Sequence, residues 1–227
     1  MGLSHSPKIV TNGLVFNFDA RNIKSYPGTG TACYDLAGRT TVGETVNSPT
    51  FNANGYFSFA TDDYIRFPNS TALDVQTFTI EVWVRTNATS QNGFWFEKGT
   101  VNSQYSLFQE GSGIACRFNT TAGGTITPIY LGTATYMNTT NWYQVVFTFA
   151  SGSQICYINA VQVGTGSTTG TLNTSAGGMS IGAYGGYTGG HSYFYDGDLS
   201  IAKVYNRVLT ASEVQQNFTA LRGRYGI

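Results

Sequence analysis

Side chains able to do acid–base or nucleophilic work are scarce in this chain. Its 227 residues carry twelve acidic groups and two histidines, so spacing decides whether any of them can cooperate. Hydrolysis of a glycosidic bond with retention needs two carboxylates roughly 5 Å apart. Alternate residues of one strand supply that separation because they share a face. Glu81 stands alone between Ile80 and Val82, and Glu97 in FWFEKG has Trp95, not a carboxylate, two positions earlier. Asp196 and Asp198 in YDGDL have the right period, but Gly197 between them reads as a turn. His5 and His191 have no Ser or Cys partner in a nucleophile-elbow context. The pattern predicts no catalytic residues and no enzyme.

Binding chemistry is better supplied. Sugar recognition needs aromatic platforms beside hydrogen-bonding groups in a concavity. The stretch GAYGGYTGGHSYFY offers Tyr184, Tyr187, His191 and Tyr193, followed by Tyr195, among flexible glycines. These are the candidate carbohydrate contacts, against the plainer reading of a Gly/Tyr loop used in subunit packing. Calcium is the one metal worth arguing, because it takes carboxylate and carbonyl oxygens from loops. Asp62 and Asp63 in ATDDY are its candidate ligands, with Asp196 and Asp198 as a second pair; the competing reading has them cap turns through local backbone bonds. No cofactor is otherwise required. Cys33, Cys116 and Cys156 are far apart, with no CxxC and no His at ligand spacing, and read as buried thiols.

Composition narrows the partners. Charged residues make up 11% of the chain, and twelve basic residues balance twelve acidic ones; no field favours nucleic acid or an anionic membrane. No window approaches the roughly 20 apolar residues of a membrane span. The N-terminus MGLSHSPKIVTNG has no apolar run of signal-peptide length, so the chain reads as unexported. Gly2 is followed by no polybasic patch that would back a lipidation reading.

The elements that must position these residues are strands. GLVFNFDA, GYFSFATDDYIRFP, TFTIEVWVR, NWYQVVFTF, SQICYINAVQVG and GMSIGAYG all alternate, separated by turn-rich pieces such as ASGS and GTGSTTG. In TFTIEVWVR, Phe78, Ile80, Val82 and Val84 face one way, and Thr79, Glu81, Trp83 and Arg85 face solvent or a second layer. GYFSFATDDYIRFP breaks into two strands around Thr61–Asp63. No linker, charge run or blade repeat interrupts the pattern, so one domain over 1–227 is expected: an all-β, two-sheet antiparallel jelly-roll sandwich. An N-terminal arm spans 1–8.

The ending differs. In AKVYNRVLTASEVQQNFTAL the alternation of Leu199, Ile201, Val204 and Tyr205 gives way to TASE, a capping box with Thr210 as N-cap and Glu213 at N3. Leu209 and Val214 are placed as a hydrophobic staple. Val214, Phe218 and Leu221 then form a narrow apolar stripe, and Gly223 sits where a stop would. The spacing predicts a short C-terminal helix, residues 210–222, packed on the sandwich.

Motif order adds a resemblance. GLVFNFDARNIKSYPG with YDLAG, YFSFATDDYIRFPNS, FTIEVWVR, NWYQVVFTF with CYINAVQVG, and SIGAY with FYDGDLSIAKVYNRVLTASEVQQNF resemble, in sequence order, the laminin-G-like jelly roll of the concanavalin A-like lectin and glucanase superfamily. The chain departs from it at Ala160, where the family's hairpin has glycine, and in RTTVGETVNSP after YDLAG. SYPG, YNRVLTASE and ALRGRYGI are also similar to stand-alone laminin-G-like proteins of bacteriophage particles. That resemblance implies a non-enzymatic virion protein, a capsid decoration or fibre-associated component that assembles in the host cytoplasm. It would contact other virion proteins and itself, most simply as a trimer, and adhere to host glycans. A bacterial carbohydrate-binding module, extracellular in location, is the alternative, and a glucanase-like hydrolase the third reading.

Overall fold

A computed structural model describes residues 7–99, 104–121, 124–187 and 190–227; His5, Gly2 and most of the 1–8 arm lie outside the described residues. In chain order the elements are β1 (Leu14–Asp19), β2 (Ala32–Cys33), β3 (Gly43–Val46), β4 (Thr50–Asn52), β5 (Tyr56–Phe59), β6 (Tyr64–Phe67), β7 (Phe78–Thr86), β8 (Gly93–Lys98), β9 (Tyr105–Glu110), β10 (Gly113–Thr120), β11 (Gly124–Gly132), α1 (Thr133–Tyr136), β12 (Tyr143–Ala150), β13 (Ser153–Ile158), β14 (Val161–Gly166), β15 (Met179–Ile181), β16 (Gly197–Tyr205) and α2 (Ala211–Leu221). Among the described residues the strands form two antiparallel eight-stranded sheets. The first runs β14-β13-β12-β7-β16-β5-β4, with β1 also on β16, and the second runs β11-β10-β9-β8-β15-β6-β3-β2. This is the expected all-β jelly-roll sandwich.

Period-two patterning explains the layering. Phe57 and Phe59 of β5 and Ile65 and Phe67 of β6 are all buried in the space between the sheets. The polar break between them therefore carries the chain from the first sheet to the second. Phe16 meets Phe67 edge-on across the core at 5.1 Å, and Phe78 stacks on Tyr105 at 4.6 Å and on Phe149 at 5.3 Å. Each fully buried aromatic of this kind contributes about 1.5–3 kcal/mol by leaving water.

The outer face of the first sheet is also covered. Thr79, Glu81 and Trp83 of β7, which alternate with the core residues, are completely buried, because α2 and the turn after it lie over them. Trp83 stacks on Phe218 at 5.9 Å and on Tyr225 at 4.4 Å. Trp83, expected to face solvent or a second layer, is 0% exposed, and Tyr143 is 8% exposed. Trp83 is under the helix, and Tyr143 is on the core side of β12.

The start of α2 matches its sequence signal. Glu213 N–H donates to Thr210 Oγ1 at 3.3 Å and Thr210 N–H to Glu213 Oε2 at 2.9 Å, while Leu209 and Val214 join one apolar cluster with Val10, Val146, Tyr157 and Tyr205. Two details differ. Asn217, not Phe218, is the fully buried residue in the middle of the stripe. Asn217 Nδ2 donates to Glu81 Oε2 at 2.7 Å and to Tyr205 Oη at 2.9 Å, and its Oδ1 accepts from Val10 N–H at 2.7 Å. Gly223 makes no left-handed stop, since the chain continues into a 3-10 turn over Arg222–Arg224.

The β13–β14 hairpin turns on Asn159 and Ala160, with φ of +49° and +64°. That is the mirror-image two-residue turn whose twist suits a hairpin. Ala160 pays for it with a left-handed conformation costing about 1 kcal/mol. Asn159 anchors the turn by exchanging bonds with the Gln144 backbone, both at 2.9 Å.

Candidate functional site

The glycine-rich segment between β15 and β16 folds back over the outer face of the second sheet. Tyr184 and Ser192 pair their backbones at 2.9 and 3.1 Å, and the Gly185 N–H donates to the carboxylate of Glu97. Gly186 is required at its place, because a Cβ there would lie 1.8 Å from the Gly99 carbonyl oxygen. His191 stacks on Tyr64 with centroids 3.9 Å apart, and its Nε2–H donates to Gly186 O at 2.7 Å. Burial holds the His191 pKa below the ordinary value; the bond to Gly186 opposes this and Arg66 reinforces it. Tyr187 lies under the Arg66 guanidinium at 4.8 Å, and Arg66 is paired with Glu44 at 2.7 Å.

These contacts lock the loop and leave Tyr193 outside. Its φ is +48° and it is 55% exposed, an unusual pairing of backbone strain with a presented aromatic ring. The backbone is held on both sides: Phe94 N–H donates to Tyr193 O at 3.1 Å, and Tyr195 N–H to Gly182 O at 2.8 Å. Tyr184 packs edge-on behind the ring at 6.0 Å.

Tyr193 forms one wall of a cleft of about 160 Å³, also lined by Asn92, Phe94, Phe108, Gln109, Glu110 and Arg117. Phe94 and Phe108 are register partners on β8 and β9, stacked at 4.4 Å and 3° from parallel. Arg117, pointing outward between core residues Cys116 and Phe118 of β10, lies 4.8 Å over Phe108, and its Nη2 is 3.8 Å from Glu110 Oε1. The floor is apolar, and the rim carries an amide, a carboxylate and a guanidinium.

The four predicted carbohydrate residues therefore divide. Tyr193 lines the cleft and Tyr184 supports it, while Tyr187 and His191 face Arg66 and Tyr64 and hold the loop in place. Tyr195 is fully buried, edge-on to Trp95 at 6.2 Å. Asn92, Phe94, Phe108, Glu110 and Arg117 were missed. Arg117 carried the one sequence signal, a lone charge in the otherwise uncharged strand GIACRFNT.

The carboxylates weighed for catalysis have structural partners. Glu81 accepts from Lys203 Nζ at 2.9 Å and Trp83 Nε1 at 3.0 Å; burial alone would raise its pKa, but Lys203 and these bonds bring it below the ordinary value. Glu97 is fully buried under the loop. Asp198 is paired with Arg85 at 2.5 Å, and Asp196 Oδ1 accepts from Asn87 Nδ2 at 2.7 Å. Glu110 is the cleft's sole carboxylate among the described residues. One carboxylate cannot act as both general acid and nucleophile.

Asp62 Oδ2 accepts from Asn47 Nδ2 at 3.0 Å, and Asp63 Oδ2 from Ala60 N–H at 3.2 Å. The Asp63 bond caps its own turn, whereas the Asp62 bond ties it to the Asn47 side chain just past β3. Burial raises the Asp63 pKa, the Ala60 bond opposes the rise and Asp62 adds to it. Calcium takes roughly six to eight oxygens, and no group of three or more metal-type side chains gathers among the described residues. Cys33, Cys116 and Cys156 are buried free thiols; burial pushes Cys33 and Cys156 up to about 12. No helix among the described residues is long and apolar enough to cross a membrane.

A laminin G model described as the concanavalin A-like lectin/glucanases superfamily matches residues 59–215, and the chain belongs to that family. Solved structures agree on the fold. The binding domain of botulinum neurotoxin DC in complex with rat synaptotagmin II superposes with a TM-score of 0.71 at 12% identity, over 92% of this chain and 52% of that one. The same domain in complex with SialylT gives 0.68 at 13%, over 92% and 52%. The botulinum neurotoxin type G receptor-binding domain gives 0.65 at 17%, over 92% and 51%. The chain spans about half the length of these structures. No curated protein sequence matches it significantly. The fold is lectin-like and shared with receptor-binding domains.

Proposed function

We propose that the protein is a non-enzymatic glycan-recognition domain that binds through the Tyr193 cleft. The observation that carries this is the strained, exposed Tyr193 ring set over an aromatic floor beside Arg117, Glu110 and Asn92. An aromatic face suits the C–H face of a pyranose, and the rim groups suit its hydroxyls. The captured partners of two structural neighbours, SialylT and synaptotagmin, support a recognition role for this fold. No cofactor is needed for such binding. If calcium binds near Asp62 and Asp63 it must raise the melting temperature, and an unchanged transition in saturating calcium removes it from the reading.

The same proposal places the domain on a bacteriophage particle, as a capsid decoration or fibre-associated protein. Its support is the similarity of SYPG, YNRVLTASE and ALRGRYGI to phage laminin-G-like proteins and a weakly charged surface rich in Thr, Ser, Asn and Gly. A glycan array probed with the wild type and Tyr193→Ala tests the recognition step. Binding lost in the variant is expected; equal binding by both, or none by the wild type, would overturn it. Mass spectrometry of purified virions tests the setting, and absence from them would favour a cellular carbohydrate-binding module.

A further inference from the structure

A second cleft lies on the opposite face of the sandwich, at one end of the first sheet. It has a volume of about 340 Å³ and is walled by Tyr56, Trp142 and Tyr225, with Arg85 and Arg224 beside them. Tyr56 opens β5, Arg85 closes β7, Trp142 precedes β12, and Tyr225 follows α2, so four separate segments converge there. Tyr56 and Trp142 meet edge-on at 5.4 Å, and Trp142 and Tyr225 are tilted by 39° at 4.9 Å. The Arg85 guanidinium lies 5.4 Å from both the Tyr56 and the Trp142 rings.

Its charges are already balanced. Arg85 Nε donates to Asp198 Oδ2 at 2.8 Å, and Ser58 Oγ donates to Asp198 Oδ1 at 2.5 Å. Arg224 Nη1 is 2.7 Å from Asp19 Oδ2. Two cations and two anions leave no net charge to attract an acidic ligand, and Asp198 and Tyr56 hold the Arg85 side chain in place.

Trp142 supplies the second observation. It is 8% exposed, and its ring is flanked by those of Tyr56 and Tyr225. Asn54, Thr140 and Asn141 stand exposed at the rim, offering amides and a hydroxyl that both donate and accept. Aromatic walls and neutral hydrogen-bonding rim groups match a sugar ring with its C–H face and hydroxyls. The volume is at the low end of small-molecule sites, roughly 300–1,000 Å³.

The geometry points to a second saccharide site, formed by Tyr56, Arg85, Trp142 and Tyr225, that takes a short neutral oligosaccharide. It is independent of the Tyr193 cleft, from which it is separated by the thickness of the sandwich. Two sites on opposite faces would let one copy bridge two glycan chains, converting modest affinities into avidity.

Tryptophan emission reports on this site, since Trp142 lines it and Trp83 stacks on its Tyr225 wall. The probes are laminaritetraose, cellotetraose, maltotetraose and N-acetylchitotriose, with 3′-sialyllactose as the acidic comparison. At least one neutral probe is expected to give a saturable emission change. Trp142→Ala and Arg85→Gln should weaken its affinity, measured by calorimetry, at least tenfold, and Tyr193→Ala should leave it intact. If Trp142→Ala melts early, the surface variant Thr140→Ala/Asn141→Ala replaces it and should weaken binding severalfold. No saturable change with any neutral probe would overturn the proposal, as would tight binding confined to 3′-sialyllactose. Binding abolished by Tyr193→Ala and untouched by the Trp142, Arg85 and rim variants would assign all recognition to the first cleft.

Discussion

Glu81 and Lys203 show what a charge does when it is taken out of water. Both are essentially unexposed, 2.9 Å apart, with Trp83 and Asn217 completing the carboxylate's bonds. Removing one partner of a buried pair strands the other, at a cost of about 3–5 kcal/mol. Lys203→Met should therefore lower the denaturation midpoint sharply, and adding Glu81→Gln should recover much of the loss; a double variant as unstable as the single would refute the pairing argument. Glu213 is a surface counterpart. Its bonds to Arg207, and then to Thr210, outweigh partial burial and lower its pKa to about 2 from 4.5. The folded value is the lower one, so this stabilisation is complete above about pH 4.5 and lost as pH falls towards 2. Glu213→Gln should flatten the acid limb of the stability curve in that window, as read by urea titrations at several pH values. Ala160, left-handed at φ +64°, offers the opposite change: Ala160→Gly should raise stability by about 1 kcal/mol, which thermal melts would register.

At the scale of elements, α2 belongs to the fold as a third layer. It covers Trp83, Ile201 and Tyr205, and through Asn217 it binds the N-terminal segment at Val10 to the sheet. Deleting residues 210–227 would uncover that surface and leave Glu81 without its Asn217 bond. The truncated protein should keep its β-rich circular dichroism but melt far below the full chain and bind a hydrophobic dye. An unchanged melt would mean the helix is a docking arm. Thr210→Ala, which removes only the cap, should cost about 1 kcal/mol, or roughly 2–4 °C for a chain of this size.

For the whole molecule, the two outer faces have different roofs. The helix closes one, and the described part of the loop between β15 and β16 partly closes the other. With Trp83 and Tyr143 buried, three of the five exposed large apolar residues among the described ones, Ile23, Tyr34 and Val42, fall between β1 and β3. Self-association through apolar contacts resists salt, unlike electrostatic docking. The protein should therefore sediment as a homo-oligomer, most simply a trimer, at both low and high salt, and Ile23→Asp should dissociate it. A monomer at micromolar concentration would defeat this and leave a solitary sugar-binding module.

Strand positions, the polar break at Thr61–Asp63 and the capped start of α2 were legible in the sequence, because each depends on neighbours within a few residues: period two, turn chemistry, a side chain reaching its own helix end. The sites were not. Tyr187, His191 and Tyr193 look alike in the loop, yet two are enclosed and one is presented, since the difference lies in Tyr64, Arg66 and Phe94 on distant strands. The outward face of Trp83 is fixed locally by the strand, but whether solvent or a second layer meets it is decided by what arrives from residue 211 onward. Arg117 over Phe108, and Arg85 between Tyr56 and Trp142, exist only after the sheets have assembled; the sequence specified which faces the side chains take, and packing decided which of them meet.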